Sequence, residues 1–429
     1  MAGLYSRLSR ALTGASPPVC LAFFLFGLIN NILYVILLTA ALDLVGPDLP
    51  KSMVLLFDVL PSFLTKLLLP HFVQSIPYAI RIPILVLLAF VGMQCVGYSD
   101  SISGRMAGVV LASISSGGGE LSFLGLTHYY PQGGFAIAFW GSGTGAAGLA
   151  GAGLYQFVTT GLGWDVVKAV KWSSLLPLIM LVGYFVVLPK PEGVGYERVD
   201  VEDGFGEEEI VTREERGLLA GGMPDGGATV APLERSAKDG LSWGEKFRAS
   251  MRKTKPLFFP YMLPLLLVYI AEYTVNQGVS PTLLFPIEEM PFQNYRDAYV
   301  SYNTVYQLGV FISRSSTPFI RIHHLYLPSL LQCFNLFLLI LQALYMWLPN
   351  IYWNWMVVFW EGLLGGAVYV NTFAEIADKV PLDEREFSLS AVTVSDSGGI
   401  AIAGFIGLWL EGALCRYQVR DGREWCTLT

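Results

Sequence analysis

The chain has 429 residues, of which 53% are hydrophobic and only 14% charged, with a mean hydropathy of +0.52. Soluble domains carry about 25% charged residues, so this composition excludes an ordinary soluble enzyme and fits a protein embedded in a bilayer. The net charge of −7 excludes little, because acidic residues concentrate in one central segment. Five scattered cysteines without a CxxC pair indicate neither a zinc site nor a disulfide scaffold. Four histidines, two of them adjacent at His323 and His324, give no metal-ligating spacing, and no N-x-S/T sequon occurs. No metal, cofactor or nucleic acid is therefore expected.

A transmembrane helix needs about 20 apolar residues. Six stretches meet this before the central segment: about 19–43, 52–70, 76–98, 104–128, 133–160 and 170–189. The first is too long for a signal-peptide core and lacks a small-residue cleavage site, so it reads as a span. Residues 190–255 begin acidic (VEDGFGEEEI), turn Gly-rich and end basic, a composition that buries too little apolar surface to fold alone. Their end, LSWGEKFRASMRKTKP, places Trp243, Phe247 and Met251 one turn apart among basic residues, as in a helix lying in the membrane interface or a plain solvated helix. Five more spans follow: about 257–285, 298–320, 325–348, 352–376 and 388–412. PNIYWNWM (Pro349–Met356) is an interfacial aromatic anchor.

The sequence thus divides into a six-helix bundle (1–189), a cytosolic loop (190–255), a five-helix bundle (256–412) and a tail (413–429). With a cytosolic N-terminus, the cytosol receives Arg7, Arg10, Arg81, Arg314, Arg321, Lys379, Arg385 and the basic residues of the loop. The other side receives Lys51, Arg105, Lys168, Lys171, Arg296 and the three arginines of the tail, so the positive-inside rule puts the N-terminus in the cytosol. SGTGAAGLAG (Ser142–Gly151) in span five aligns with SDSGGIAIAG (Ser395–Gly404) in span eleven, and GGGELSF in span four with GGAVYVNTF in span ten. Parallel repeats six helices apart predict an all-α, two-bundle fold of the major-facilitator type, with eleven helices. The Gly-rich spans five and eleven, at Gly145 and Gly398, are expected where the halves pack.

The key polar residue is Glu120, which follows Gly117, Gly118 and Gly119 near the centre of span four. A charge at that depth costs at least about 2.5–3.5 kcal/mol, so such residues usually face a protein-lined or watery interior. Removal from water also raises a carboxyl pKa, which makes Glu120 the expected proton exchanger unless Lys66 or Arg314 holds it ionised. Further pathway residues are Asn30, Asn31, Glu272, Asn276, Asn303, Gln307, Arg314, Glu361, Asn371 and Asp396, drawn from both halves. Amides at i, i+4 also serve to bridge helices, so a structural role competes at each site. Span two adds Asp58, Ser62, Thr65 and Lys66.

Gly143-Thr-Gly145-Ala-Ala-Gly148 matches G-x-G-x-x-G, but a dinucleotide fingerprint needs a preceding strand, and this stretch lies in a membrane span. No catalytic motif remains, so an enzyme is not expected. Two sorting signals stand out. Glu214, Leu218 and Leu219 form an acidic dileucine read by clathrin adaptors on cytosolic loops. The terminal Cys426-Thr-Leu-Thr has the C-a-a-X form of a prenylation site, although eleven spans put it on the lumenal side.

The chain resembles the battenin family, the lysosomal membrane proteins whose loss causes Batten disease, and specifically a fungal member. The likeness rests on FGLINNILYVILLTAALDLV, ASISSGGGELSFLGLTHYYP, AEYTVNQG, FISRSS, WEGLLGGAVYVNTFAEIA and DEREFSLSAVTVSDSGGI, and covers nearly all spans. The resemblance implies a major-facilitator-like fold and residence in lysosomal or vacuolar membranes. It further implies a part in lumenal pH homeostasis, in vacuolar basic amino acid (arginine) levels and in clearing glycerophosphodiesters. Glu272, Arg314 and Asp396 fall in motifs where the family concentrates functionally sensitive residues. The missing sequons depart from animal members. The expected partners are a small polar solute, protons, membrane lipids and a clathrin adaptor. The competing expectation is a non-transporting scaffold that regulates trafficking or the proton pump.

Overall fold

A computed structural model describes residues 13–40, 51–71, 73–130, 133–190, 243–292 and 295–427. Among these residues there is no strand, and the chain is a multi-pass bundle of long helices. The first half comprises α1 (Pro17–Thr39), α2 (Lys51–Leu68), α3 (Tyr78–Tyr98), α4 (Ile102–Leu126), α5 (Gly133–Gln156) and the irregular α6 (Val166–Val187). The second half begins with α7 (Trp243–Leu257), which runs through a π-turn into α8 (Leu263–Thr274). Then come α9 (Tyr295–Ser315), α10 (Tyr326–Tyr345), α11 (Ile351–Lys379), the short α12 (Leu382–Val392) and α13 (Val394–Arg420).

Among the described residues eleven spans result, as the hydropathy predicts. Eight helical stretches among the described residues are apolar and long enough to cross a membrane on composition alone. The other three are α2, α5 and α9, and each has a physical reason to fall short. Helix α2 carries Asp58 and Lys66, α9 carries Gln307 and Arg314, and α5 is crowded with glycine. These are the helices that meet at the centre.

Helix packing repeats with an offset of six spans. In the first half α1 lies on α5, α2 on α4 and α3 on α4; in the second α8 lies on α13, α9 on α11 and α10 on α11. The halves meet symmetrically, α5 against α9 and α13 against α2. Gly145 and Gly398 therefore each face the opposite half but not each other. A Cβ on Gly145 would stand 3.0 Å from Phe311 Cα, and one on Gly398 would stand 3.2 Å from the Phe63 ring. Small residues here let helices approach backbone to backbone.

Three expectations change. The basic stretch is not a separate interfacial helix, because α7 continues into span seven and docks on the first half: Ser250 Oγ lies 2.7 Å from His71 Nδ1. The last span does not stop at residue 412, since α13 runs to Arg420. Beyond it the chain turns back, and Cys415 and Cys426 form a disulfide with Cα atoms 5.7 Å apart. A sulfur in that bond cannot carry a prenyl group, so the C-a-a-X reading of Cys426 is corrected. Eleven residues of separation hide the pair in the sequence, where the cysteines look unrelated. Glu214, Leu218 and Leu219 lie outside the described residues.

Candidate functional site

Lys66 of α2 sits at the junction of the halves, almost wholly buried. The neighbouring interface is built for close approach: Gly117 of α4 packs against Ser62, one turn before Lys66, and Gly119 packs against Asn30. This brings Glu120 to Lys66. Lys66 Nζ donates to Glu120 Oε2 at 2.5 Å and, across the interface, to Asp396 Oδ1 at 2.9 Å. Helix α13 holds Asp396 in its first turn. Two carboxylates share one ammonium, so the fully ionised cluster carries one excess negative charge that a proton or a solute cation can neutralise.

Glu120 has a second donor. Tyr369 Oη of α11 bonds Glu120 Oε1 at 2.5 Å, and Trp140 Nε1 of α5 donates to Tyr369 Oη at 3.1 Å. The Tyr369 ring in turn faces the guanidinium of Arg314, 4.2 Å from its centroid, a favourable cation–π placement. Arg314 Nη1 donates to Thr144 Oγ1 at 2.7 Å and Nη2 to Tyr269 Oη at 2.9 Å. Its Nε has no partner, and no carboxylate pairs with it among the described residues.

These groups border a cavity of about 100 Å³ between the halves, room for several waters. Asn31, Tyr34 and Asp58 from the first half and Tyr273, Tyr306 and Gln307 from the second complete its wall. Asp58 is 3% exposed, and its Oδ2 has no hydrogen-bond partner. Helix α12 adds further contacts away from the cavity wall. Glu386 of α12 accepts hydrogen bonds from Tyr78 and Tyr129 of the first half, both at 2.7 Å, and Lys253 pairs with Glu384 at 3.3 Å.

Of the residues singled out in the sequence, Glu120, Asp396, Arg314, Asn31 and Gln307 meet at this cavity. Glu272 stands behind it, accepting a bond from the Tyr306 hydroxyl. The others lie elsewhere. Asn30 lines a smaller void and donates to the Ser116 carbonyl at 3.0 Å. Asn303, one turn beyond Gln307, is exposed, and Asn276 is half-buried; neither borders the cavity. Asn371 stabilises a turn, accepting from Ile322 N at 2.9 Å. Glu361 is enclosed within the second half.

Glu120 is thus one of three charged members of an ion cluster, paired with Lys66 of a neighbouring helix. Sequence reading undervalued Lys66, Asp58 and the phenols of Tyr269, Tyr306 and Tyr369. The available signal was Tyr269 and Tyr273 at i, i+4 in an apolar span, a pair that puts two hydroxyls on one helical face.

The model of the CLN3 protein family matches residues 21–417. The chain belongs to the CLN3 (battenin) family. Fungal relatives extend along almost the whole chain. Protein btn1 of Aspergillus fumigatus is 53% identical over 98% of this chain and 93% of its own length. Protein BTN1 of Yarrowia lipolytica is 49% identical over 95% of this chain and 97% of its own. Among solved structures, the human organic anion transporter MFSD10 aligns over 96% of this chain and 98% of its own, with a TM-score of 0.58 at 15% identity. The MFS proton:xylose symporter XylE aligns over 98% of this chain and 92% of its own, with a TM-score of 0.56 at 10% identity. At such identities the likeness establishes the major-facilitator fold of this CLN3-family protein.

Proposed function

We propose that this CLN3-family protein is a transporter of the lysosomal or vacuolar membrane, moving a small solute by alternating access between its two halves. The solute would carry both a cationic and an anionic group. The observation behind this is the pair of uncommitted groups at the cavity: Asp58, whose free carboxyl oxygen can take up a solute cation, and Arg314 without a carboxylate partner. The phenol rings of Tyr34, Tyr269 and Tyr273 favour a cation beside Asp58. Arginine matches this charge pattern, with its α-carboxylate for Arg314 and its guanidinium for Asp58 once the halves part to widen the cavity. A glycerophosphodiester with an ammonium head fits in the same sense, with its phosphate on Arg314. Among proteins of similar fold, one is named a proton:xylose symporter, which supports solute movement.

The test is uptake of labelled arginine and of glycerophosphocholine by purified protein in liposomes with an imposed pH gradient. Asp58→Asn is expected to lower uptake about tenfold, the loss of roughly 1.4 kcal/mol of solute binding. Absence of uptake of both solutes by the wild type would overturn this reading.

The acidic dileucine supports a vacuolar destination. Changing Leu218 and Leu219 to Ala is expected to send tagged protein to the cell surface or to strand it in earlier compartments. Unchanged vacuolar fluorescence would remove the motif from the argument.

A further inference from the structure

The interior of the second half holds a polar cluster separate from the Lys66 site. Glu361 of α11 is fully buried, and neither carboxyl oxygen has a hydrogen-bond partner. Gln332 of α10 and Glu272 of α8 are its polar neighbours. Both amide atoms of Gln332 and Nδ2 of Asn335, also on α10, lack partners. Glu272 accepts from the Tyr306 hydroxyl of α9 through Oε1, whereas its Oε2 has no partner. That oxygen lies against Gly365, where a Cβ would stand 1.9 Å away, and Gly365 is one helical turn from Glu361. The nearest cation is Arg314, whose field reaches Glu272 while its Nη atoms are held by Thr144 and Tyr269. No described salt bridge reaches either carboxyl.

An ionised carboxylate buried without a cation is far costlier than the neutral acid, and the single neighbouring amide of Gln332 does not replace a cation. The neutral acid also supplies the donor that Gln332 Oε1 lacks. Tyr306 borders the central cavity, so the line Tyr306–Glu272–Glu361 leads from solvent into a closed interior.

We propose that Glu361 is a proton-binding site, loaded from the cavity through Tyr306 and Glu272. A proton enters at the Tyr306 hydroxyl as that hydroxyl passes its own proton to the Glu272 carboxylate. Rotation of the Glu272 side chain past Gly365 then lets its acid protonate the Glu361 carboxylate and leaves Glu272 ionised, so charge is conserved at each step. Coupling of this proton to solute rests on the transport reading above; the proton site itself does not.

Infrared difference spectroscopy of the reconstituted full chain tests it. At neutral pH the wild type is expected to show the carbonyl band of a buried protonated carboxyl, with a small shift in D2O. Glu361→Gln removes the band, and Glu361→Asp moves it without abolishing it. Glu272→Gln keeps the band and slows its deuterium exchange at least tenfold. An unchanged band in both Glu361 variants, or no such band in the wild type, overturns the proposal. Gradient-driven accumulation of labelled arginine is expected to fall at least tenfold in Glu361→Gln. Wild-type protein inert toward arginine would remove arginine as the coupled solute and leave the infrared result to decide on the proton site.

Discussion

Replacing Lys66 by Met is expected to destabilise the folded protein by about 3–5 kcal/mol, the cost of leaving a buried charge uncompensated. Lys66 is the ammonium that Glu120 and Asp396 share, and it is almost wholly buried. Removing it sets two carboxylates side by side across the interface of the halves, where their repulsion works directly against closure. Glu120→Gln should behave differently. It leaves Lys66 and Asp396 as a one-to-one pair and keeps an acceptor for Tyr369, so folding is retained while the site loses its excess negative charge. Adding Glu120→Gln and Asp396→Asn to Lys66→Met should recover most of the lost stability, since well-packed neutral groups often replace a buried ion cluster without net cost. Thermal unfolding in detergent, read with gel filtration, measures all three. A melting temperature of Lys66→Met equal to that of the wild type would show that the cluster is hydrated and contributes little.

The fold was legible because its signals are local. Each span is a run of apolar residues, and the six-span offset stands in the sequence as paired Gly-rich segments. Glu120, Asp396 and Arg314 were legible too, because a charge in an apolar run needs a reason wherever it occurs. What could not be read was pairing. Lys66 and Asp396 lie 330 residues apart, and nothing in either segment names the other. Asparagines were overrated for the converse reason: Asn30 and Asn371 bond backbone groups nearby in the fold, and Asn303 is exposed beyond the cavity. The tyrosines were underrated because in an apolar span they count as hydrophobic, although their hydroxyls hold Glu120, Glu272 and Arg314. The Cys415–Cys426 disulfide was illegible because only the return of the tail brings its partners together.

Two glycines of one helix should respond differently to enlargement, one mainly in stability and the other mainly in transport. Gly143 of α5 meets α1 inside the first half, where a Cβ would stand 2.2 Å from the Phe24 carbonyl oxygen and 2.8 Å from Leu28 N. The contact is reciprocal, since a Cβ on Gly27 of α1 would stand 2.2 Å from the Trp140 carbonyl oxygen. Backbone cannot rotate aside as a side chain does, so Gly143→Leu must part the two helices. The expected cost is about 3 kcal/mol or more, at the upper end of overpacking penalties. Gly145, two residues on, faces α9 of the other half, with Phe311 Cα at 3.0 Å and the Arg314 stem at 3.4 Å from its built Cβ. Rocking of the halves would change this seam while leaving the α1–α5 seam intact. Gly145→Leu therefore wedges a joint that must move and displaces Arg314 from Thr144. Its expected stability loss is smaller, about 1 kcal/mol by the same rule, whereas solute uptake in liposomes falls to background. Unfolding midpoints and uptake measured side by side separate the two cases. Equal destabilisation by both leucines, or a stable Gly145→Leu that still transports, would mean that the α5–α9 seam is not a moving joint.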